Sequence, residues 1–348
     1  MSLDAAAAQA LRTALRTVVV VPVTPFGGDG SPDTATYERL ATRLLDGGIT
    51  VLTPNGNTGE FYTLSQQETR LIAETAAKAA QGRAELLVGV GHDIATATEA
   101  ARHARDHGAR MVMIHQPVHP YVSAEGWVAY HAAIANAVPD LGVVLYIRTE
   151  RITGAHIARL ADQAPNVVGV KYGLRDATRF AQVARDAGLE RFTWLAGAAE
   201  LTAPSFWASG ARGFTSGLAN VAPDLALDML RALGDGDFGA AMTIWEQVRR
   251  FEELRAADSS ADNVSVVKEA LAQLGLCRGD VRPPSRPLPA GAGTEVAGIL
   301  AGWQQARRGM AAGQSGTVPG QSGMAAGQSG TAAGQTGTAA GQTGTAAS

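Results

Sequence analysis

Short, β-branched apolar runs punctuate this chain at near-regular intervals, and between them apolar positions recur with a helical period. The runs are TVVVVPV (17–23), ITVLT (49–53), ELLVGVG (85–91), RMVMIH (110–115), GVVLYI (142–147), NVVGVK (166–171), FTWLAG (192–197) and ARGFTS (211–216). The segments between them predict helices: DTATYERLATRLLDGG, SQQETRLIAETAAKAA, IATATEAARHARDHG, SAEGWVAYHAAIANAV, GAHIARLADQA, DATRFAQVARDAG and ELTAPSFWASG. Ser65 and Glu68 have the spacing of a capping box and mark one helix start. Eight apolar strands alternating with helices, read as buried on both faces, imply a parallel sheet. Eight is also the number that closes a (β/α)8 TIM barrel, the α/β fold expected here. An open doubly wound sheet is the competing architecture. It calls for a glycine-rich phosphate loop after the first strand, and PVTPFGGDG is not G-x-G-x-x-G.

The same pattern divides the chain into a leader helix (1–16), a barrel (17–235), a C-terminal helical extension (236–308) and a repeat tail (309–348). The leader is alanine-rich and has no apolar core bounded by a cleavage site, so it does not read as a signal peptide. In the tail Gly-Gln recurs every seven residues from Gly313 to Gly341. A coiled coil needs large apolar residues at two positions of each heptad, and here those positions hold Ala, Gly, Thr and Ser. Little apolar area is available to offset the entropy of ordering, so the tail is expected to be disordered.

Function must sit at the C-terminal ends of the strands in such a barrel, and Lys171 ends the sixth run. It is one of only three lysines, with Lys78 and Lys268, in a chain of 29 Lys+Arg. An amine among Val167, Val168 and Val170 loses solvation, which disfavours the ammonium form and lowers its pKa. A neutral amine attacks a ketone to form a Schiff base. The bland alternative is a lysine that snorkels to solvent. Tyr146 ends the fifth run, next to the sixth in a barrel, where a phenol can relay a proton or simply plug the core. The loop TPNGNTGEFYTL (53–64) gathers small polar residues and backbone N–H groups suited to a carboxylate. His115 and His119 have helical metal-ligand spacing, but Pro117 and Pro120 break any helix and no carboxylate cluster accompanies them, so no metal is expected.

Taken in order, GNTGEFYTLS, the Tyr146 strand end, GVK at Lys171 and ANVAP (219–223) resemble the dihydrodipicolinate synthase / N-acetylneuraminate lyase family of class I aldolases, over roughly residues 17–300. The resemblance implies an imine with pyruvate or another 2-oxo acid, no metal or cofactor, and a homo-oligomer, tetramer or dimer. It makes Lys171 the imine lysine and Tyr146 the proton-relay phenol, with Thr58 and Gly59 binding the 2-oxo carboxylate through their N–H groups. Asn57 stands where the synthases have the first threonine of a Thr-Thr pair, and Val118 and His119 where they have a Tyr-Tyr pair. His119 either replaces the missing phenol as acid or base or merely fills space. The Tyr-x-Arg at 146–148 and the loop Gly-x-Thr-Gly-Glu-Phe look more like 5-dehydro-4-deoxyglucarate dehydratases of the same family. Arg148 and Arg151 are placed to pair with a substrate carboxylate, or are solvated surface arginines.

Composition narrows the rest. A net charge of -3 gives no electrostatic case for nucleic acid or an anionic membrane. No stretch approaches the roughly 18 apolar residues of a membrane span. The single cysteine, Cys277, excludes an intramolecular disulfide and multi-cysteine zinc sites, and a reducing cytoplasm fits best. The leading expectation is a Schiff-base lyase or hydro-lyase on pyruvate or a 2-oxo-3-deoxy sugar acid. A true 4-hydroxy-tetrahydrodipicolinate synthase, a catalytically silent small-acid binder and a metal- or phosphate-dependent barrel enzyme stay open as alternatives.

Overall fold

Eight parallel strands close into one barrel in the order β1 to β8. They are Val18–Val20, Val51–Leu52, Glu85–Val90, Met111–Ile114, Gly142–Ile147, Val167–Tyr172, Thr193–Ala196 and Gly213–Ser216. The computed structural model describes residues 2–314. Twelve α-helices are described, α1 to α12: Ala5–Ala14, Thr34–Asp46, Gln66–Ala80, Ile94–Asp106, Ala124–Ala137, Gly154–Gln163, Ala177–Ala187, Ala203–Ala208, Pro223–Gly234, Phe238–Ser260, Asn263–Gln273 and Ala290–Gln314. The expected (β/α)8 architecture with a helical extension is what the chain adopts, and α10 to α12 supply the extension. Residues through Gln304 form one compact unit. The helix α12 runs to Gln314, and the tail from 315 onward lies outside the described residues. No described helix is long and apolar enough to cross a membrane.

The first two strands are shorter than their apolar runs. Pro22 and Pro54, just past β1 and β2, have no N–H to give a ladder. The capping box at Ser65 and Glu68 forms as spaced. The segment 200–210 is not one helix. Pro204 is tolerated only in a first turn, so α8 starts at Ala203 and Glu200 falls in a separate 3-10 turn, Ala199–Leu201. Helix α10 loses helical geometry at Ala257 to Ser259.

Two apolar layers hold the barrel. The larger lies between strands and helices; the smaller fills the barrel interior with Val19, Val51, Leu87, Met111, Met113, Val144, Val168 and Leu195. Leu11 and Leu15 of the leader segment join the inner layer and are fully buried. The leader is therefore a plug of the barrel interior, seated opposite the strands' C-terminal ends.

Candidate active site

Period-two alternation alone places Tyr146 inside the barrel. Along β5, Val143, Leu145 and Ile147 pack outward, and Val144 and Tyr146 pack inward. Lys171 requires an irregularity. Val167 packs outward, so unbroken alternation would turn residue 171 outward too. The ladder skips a residue: Val143 pairs with Val167, but Val144 pairs with Gly169. Val168 is the extra residue of a β-bulge, and it reverses the phase of the strand beyond it. Val170 and Tyr172 then face out, and Lys171 faces in, in register with Tyr146. Its Nζ lies 4.3 Å from the centre of the Tyr146 ring.

Burial sets the chemistry of this pair. Lys171 is 4% exposed. Lost solvation, aided by the positive charges of Arg148 and Arg255, lowers its pKa to about 7, so a large fraction is neutral near neutral pH. Burial pushes the Tyr146 hydroxyl up, opposed by Arg148 and by the Asn57 amide. The Asn57 Nδ2 donates to the hydroxyl at 3.4 Å. Tyr146 is thus a protonated acid at rest with a donor beside it.

A cavity of about 440 Å³ opens over these side chains. One wall is a single 3-10 turn, Asn57–Gly59. The N–H groups of Asn57 and Thr58 have no acceptor among the described residues, and both residues line the cavity. The expectation of an N–H from Gly59 is corrected here. That group donates to the Gly56 carbonyl at 3.0 Å, closing the i→i+3 turn. Gly59 serves close approach instead, since a Cβ would lie 2.9 Å from the Pro22 carbonyl oxygen.

The opposite wall carries groups that strand-end reasoning underrates. Ser216, the last residue of β8, donates to Glu200 Oε1 at 2.5 Å, and Glu200 Oε2 has no partner. Burial, and then the Glu252 charge, raise the Glu200 pKa, which favours the neutral acid. Arg255 pairs with Glu252 at 2.5 Å, both nearly fully buried. Its Nη2 donates to Asn263 Oδ1 at 3.3 Å, and the same oxygen accepts from Thr58 Oγ1 at 3.4 Å. The guanidinium fits because residue 217 is glycine: a Cβ there would lie 2.1 Å from Arg255 Nη2.

The remaining expected residues separate. Arg148 lies one residue past β5 and lines both this cavity and an adjoining one of about 530 Å³. Arg151 lines only the second, and its Nη1 donates to the Val122 carbonyl at 3.2 Å. His119 lines neither; it is exposed, and its Nδ1 accepts the Tyr121 N–H at 3.2 Å. His115 is buried, stacked on Phe61 and 2.8 Å from the Asn55 carbonyl, and burial pushes its pKa down to about 3. It is a neutral packing residue.

A model of the dihydrodipicolinate synthetase family matches residues 14–302. The chain belongs to that family. The 4-hydroxy-tetrahydrodipicolinate synthase of Phenylobacterium zucineum is 33% identical over 286 residues, 81% of this chain and 95% of the relative. A probable 5-dehydro-4-deoxyglucarate dehydratase of Rhodococcus opacus is 31% identical over 283 residues, 80% of this chain and 92% of the relative. The crystal structure of dihydrodipicolinate synthase from Bacillus clausii matches with a TM-score of 0.81 at 40% identity, covering 84% of this chain and 99% of that one. As a member of the dihydrodipicolinate synthetase family, the protein is a class I lyase of the Schiff-base type for pyruvate-like 2-oxo acids. Synthase and dehydratase relatives stand at 33% and 31%, so overall identity does not choose between the two reactions.

Proposed function

We propose that this family member is a dehydratase or aldolase for a hydroxylated 2-oxo acid of the 2-oxo-3-deoxy sugar-acid type, and that Lys171 and Tyr146 carry the reaction. The Lys171 amine adds to the substrate C2 ketone. Tyr146 protonates the carbinolamine hydroxyl, which leaves as water and gives the protonated imine. The resulting phenolate then takes a proton from C3 to give the enamine, and the C4 hydroxyl, protonated by the regenerated phenol, leaves as water as the imine re-forms. Alternatively the phenolate takes the proton of the C4 hydroxyl, the C3–C4 bond breaks, an aldehyde departs, and the phenol returns the proton to C3 of the enamine. Hydrolysis of the imine returns the amine. In this reading the carboxylate sits on the N–H groups of Asn57 and Thr58. The substrate hydroxyls face Ser216 and Arg255, and Arg148 meets a distal carboxylate.

The observation that carries the choice of substrate is the Asn57 amide, 3.4 Å from the Tyr146 hydroxyl. A threonine there could pass a proton on; an amide donates a hydrogen bond but relays nothing at neutral pH. Condensation in the synthases depends on such a relay by resemblance, whereas local dehydration needs only the phenol. The Arg148 guanidinium and the polar wall at Ser216 support a substrate with several polar groups.

Borohydride reduction in the presence of pyruvate or 2-oxo-3-deoxy sugar acids, followed by peptide mass spectrometry, is expected to label Lys171. Turnover of the sugar acids is expected to exceed condensation of pyruvate with an amino-aldehyde by at least about tenfold in kcat/KM. Efficient condensation with no sugar-acid turnover would reverse the assignment. A homo-oligomer in the cytoplasm belongs to the same reading. The assembly is supported by Val118 and Tyr121, which are 58% and 86% exposed beside the second cavity, and light scattering of the purified protein checks it.

A further inference from the structure

We propose that the C-terminal extension positions the carboxylate-binding turn: Lys268 and Asn263, both on α11, grip Glu60 and Thr58 on either side of Gly59, and this grip sets the affinity for the 2-oxo acid. The inference rests on the proposed role of that turn.

Glu60 directly follows the turn and holds φ 61° and ψ 33°, a left-handed conformation in a non-glycine residue. Such a backbone persists only where its surroundings enforce it. Here they do. One Glu60 carboxylate oxygen takes a charge-assisted hydrogen bond from Lys268 Nζ, and the other accepts the Arg282 backbone N–H at 2.9 Å. The side chains of the pair are 2% and 0% exposed. Lys268 also donates to the Asp280 carbonyl at 2.7 Å and lies 4.0 Å from the centre of the Phe26 ring. On the other side of Gly59, Thr58 Oγ1 donates to Asn263 Oδ1 at 3.4 Å, and from the barrel Thr24 Oγ1 donates to the Gly59 carbonyl at 2.8 Å. Lys268, Arg282 and Thr24 lie outside the cavity lining, Asn263 lines the cavity beside Thr58, and the N–H groups of Asn57 and Thr58 stay open to it.

A fully desolvated ion pair is weak evidence for net stability, because apolar side chains of similar volume serve a core as well or better. What the pair supplies is geometry. It ties a barrel loop to a helix 208 residues later in the chain, at the residue after the substrate turn. Lys268 and Glu60 are thus positioning residues, since neither lines the cavity.

The test is the double variant E60Q/K268M, which removes both charges together and keeps the volume. Its melting temperature is expected within about 3 °C of wild type. The KM for the 2-oxo acid is expected to rise about tenfold while kcat stays within about threefold. A purely structural pair would move stability and leave KM alone. E60D, which keeps both charges and shortens the reach by one methylene, gives the same KM-against-kcat split if the double variant does not fold, and K268R restores part of the affinity. A folded double variant, or a folded E60D, with wild-type KM overturns the inference while borohydride labelling of wild-type Lys171 by pyruvate still stands. Wild-type protein that gives no Lys171 adduct with any 2-oxo acid overturns the reading of the turn, and this inference with it.

Discussion

The pH dependence of imine formation measures directly what burial does to Lys171. Its ammonium falls from an ordinary 10.5 to about 7, with lost solvation as the main cause and the charges of Arg148 and Arg255 adding to it. That corresponds to about 5 kcal/mol against the charged form. At the ordinary value only about one amine in 3,000 is neutral at pH 7; at about 7, roughly half are. Burial therefore supplies on the order of a thousandfold more nucleophile at neutral pH, well above what one hydrogen bond contributes. The assay is the initial rate of borohydride-trapped adduct formation at subsaturating pyruvate from pH 5.5 to 9. The lowered pKa fixes the sign: the amine is protonated below about pH 7, so the rate climbs about tenfold per pH unit on the acid side and levels above it. Arg148→Gln removes a repelling cation, stabilises the ammonium form and moves the plateau to higher pH. A wild-type rate that still climbs tenfold per unit through pH 9 would show a solvated amine and refute the argument from burial.

Two further predictions follow from the packing. Leu15→Ala removes a fully buried side chain from the barrel plug and is expected to cost about 3 kcal/mol in urea unfolding, with the Lys171 adduct still forming; a cost below about 1 kcal/mol would show that the plug is dispensable. Glu200 has a folded-state pKa raised above 4.5, so the native state binds its proton more tightly than the unfolded chain, and its contribution is full below about pH 4.5 and lost as pH rises through the folded value. Glu200→Gln should therefore flatten the decline in stability between pH 5 and 8 seen in urea titrations, and equal slopes in variant and wild type would refute a neutral carboxyl.

The strand count, the barrel and the Lys171–Tyr146 pair were legible because each rests on local pattern: apolar runs of strand length, and a rare lysine ending one of them. The phase of that lysine was not. Strict alternation from Val167 sends residue 171 to the outer face, and only the bulge at Val168 brings it in. Single-strand patterning carries only an ambiguous sign of a bulge, Gly169 inside the apolar run, since Gly89 sits inside β3 where the ladder stays regular. Gly59 was misjudged for a related reason: its N–H is committed to the turn, a matter of backbone geometry that the string GNTGE does not encode. Glu200, Arg255 and Asn263 were missed because two lie in the extension, far from any strand end, and the third in a segment whose helical pattern hides the break set by Pro204. Charged residues in a sequence that looks like a helix default to its solvated face. The informative sign is their burial, which only the packing of α10 against the barrel creates.

That packing resolves an electrostatic conflict in the site. A nucleophile that must be neutral near pH 7 benefits from nearby positive charge, which holds its proton off, yet a concentration of uncompensated cations would be costly to bury. The two arginines that act on Lys171 meet this constraint differently. Arg148 sits at the exposed mouth, where solvent screens it. Arg255 is buried and is neutralised by Glu252 at 2.5 Å. A second ionised carboxylate at Glu200 would oversupply negative charge around that single arginine and draw the Lys171 proton back on. The neutral Glu200, fully buried and bonded to the Ser216 hydroxyl, avoids this. The barrel supplies the amine and the phenol, and the extension supplies the balanced charge that lets the amine act.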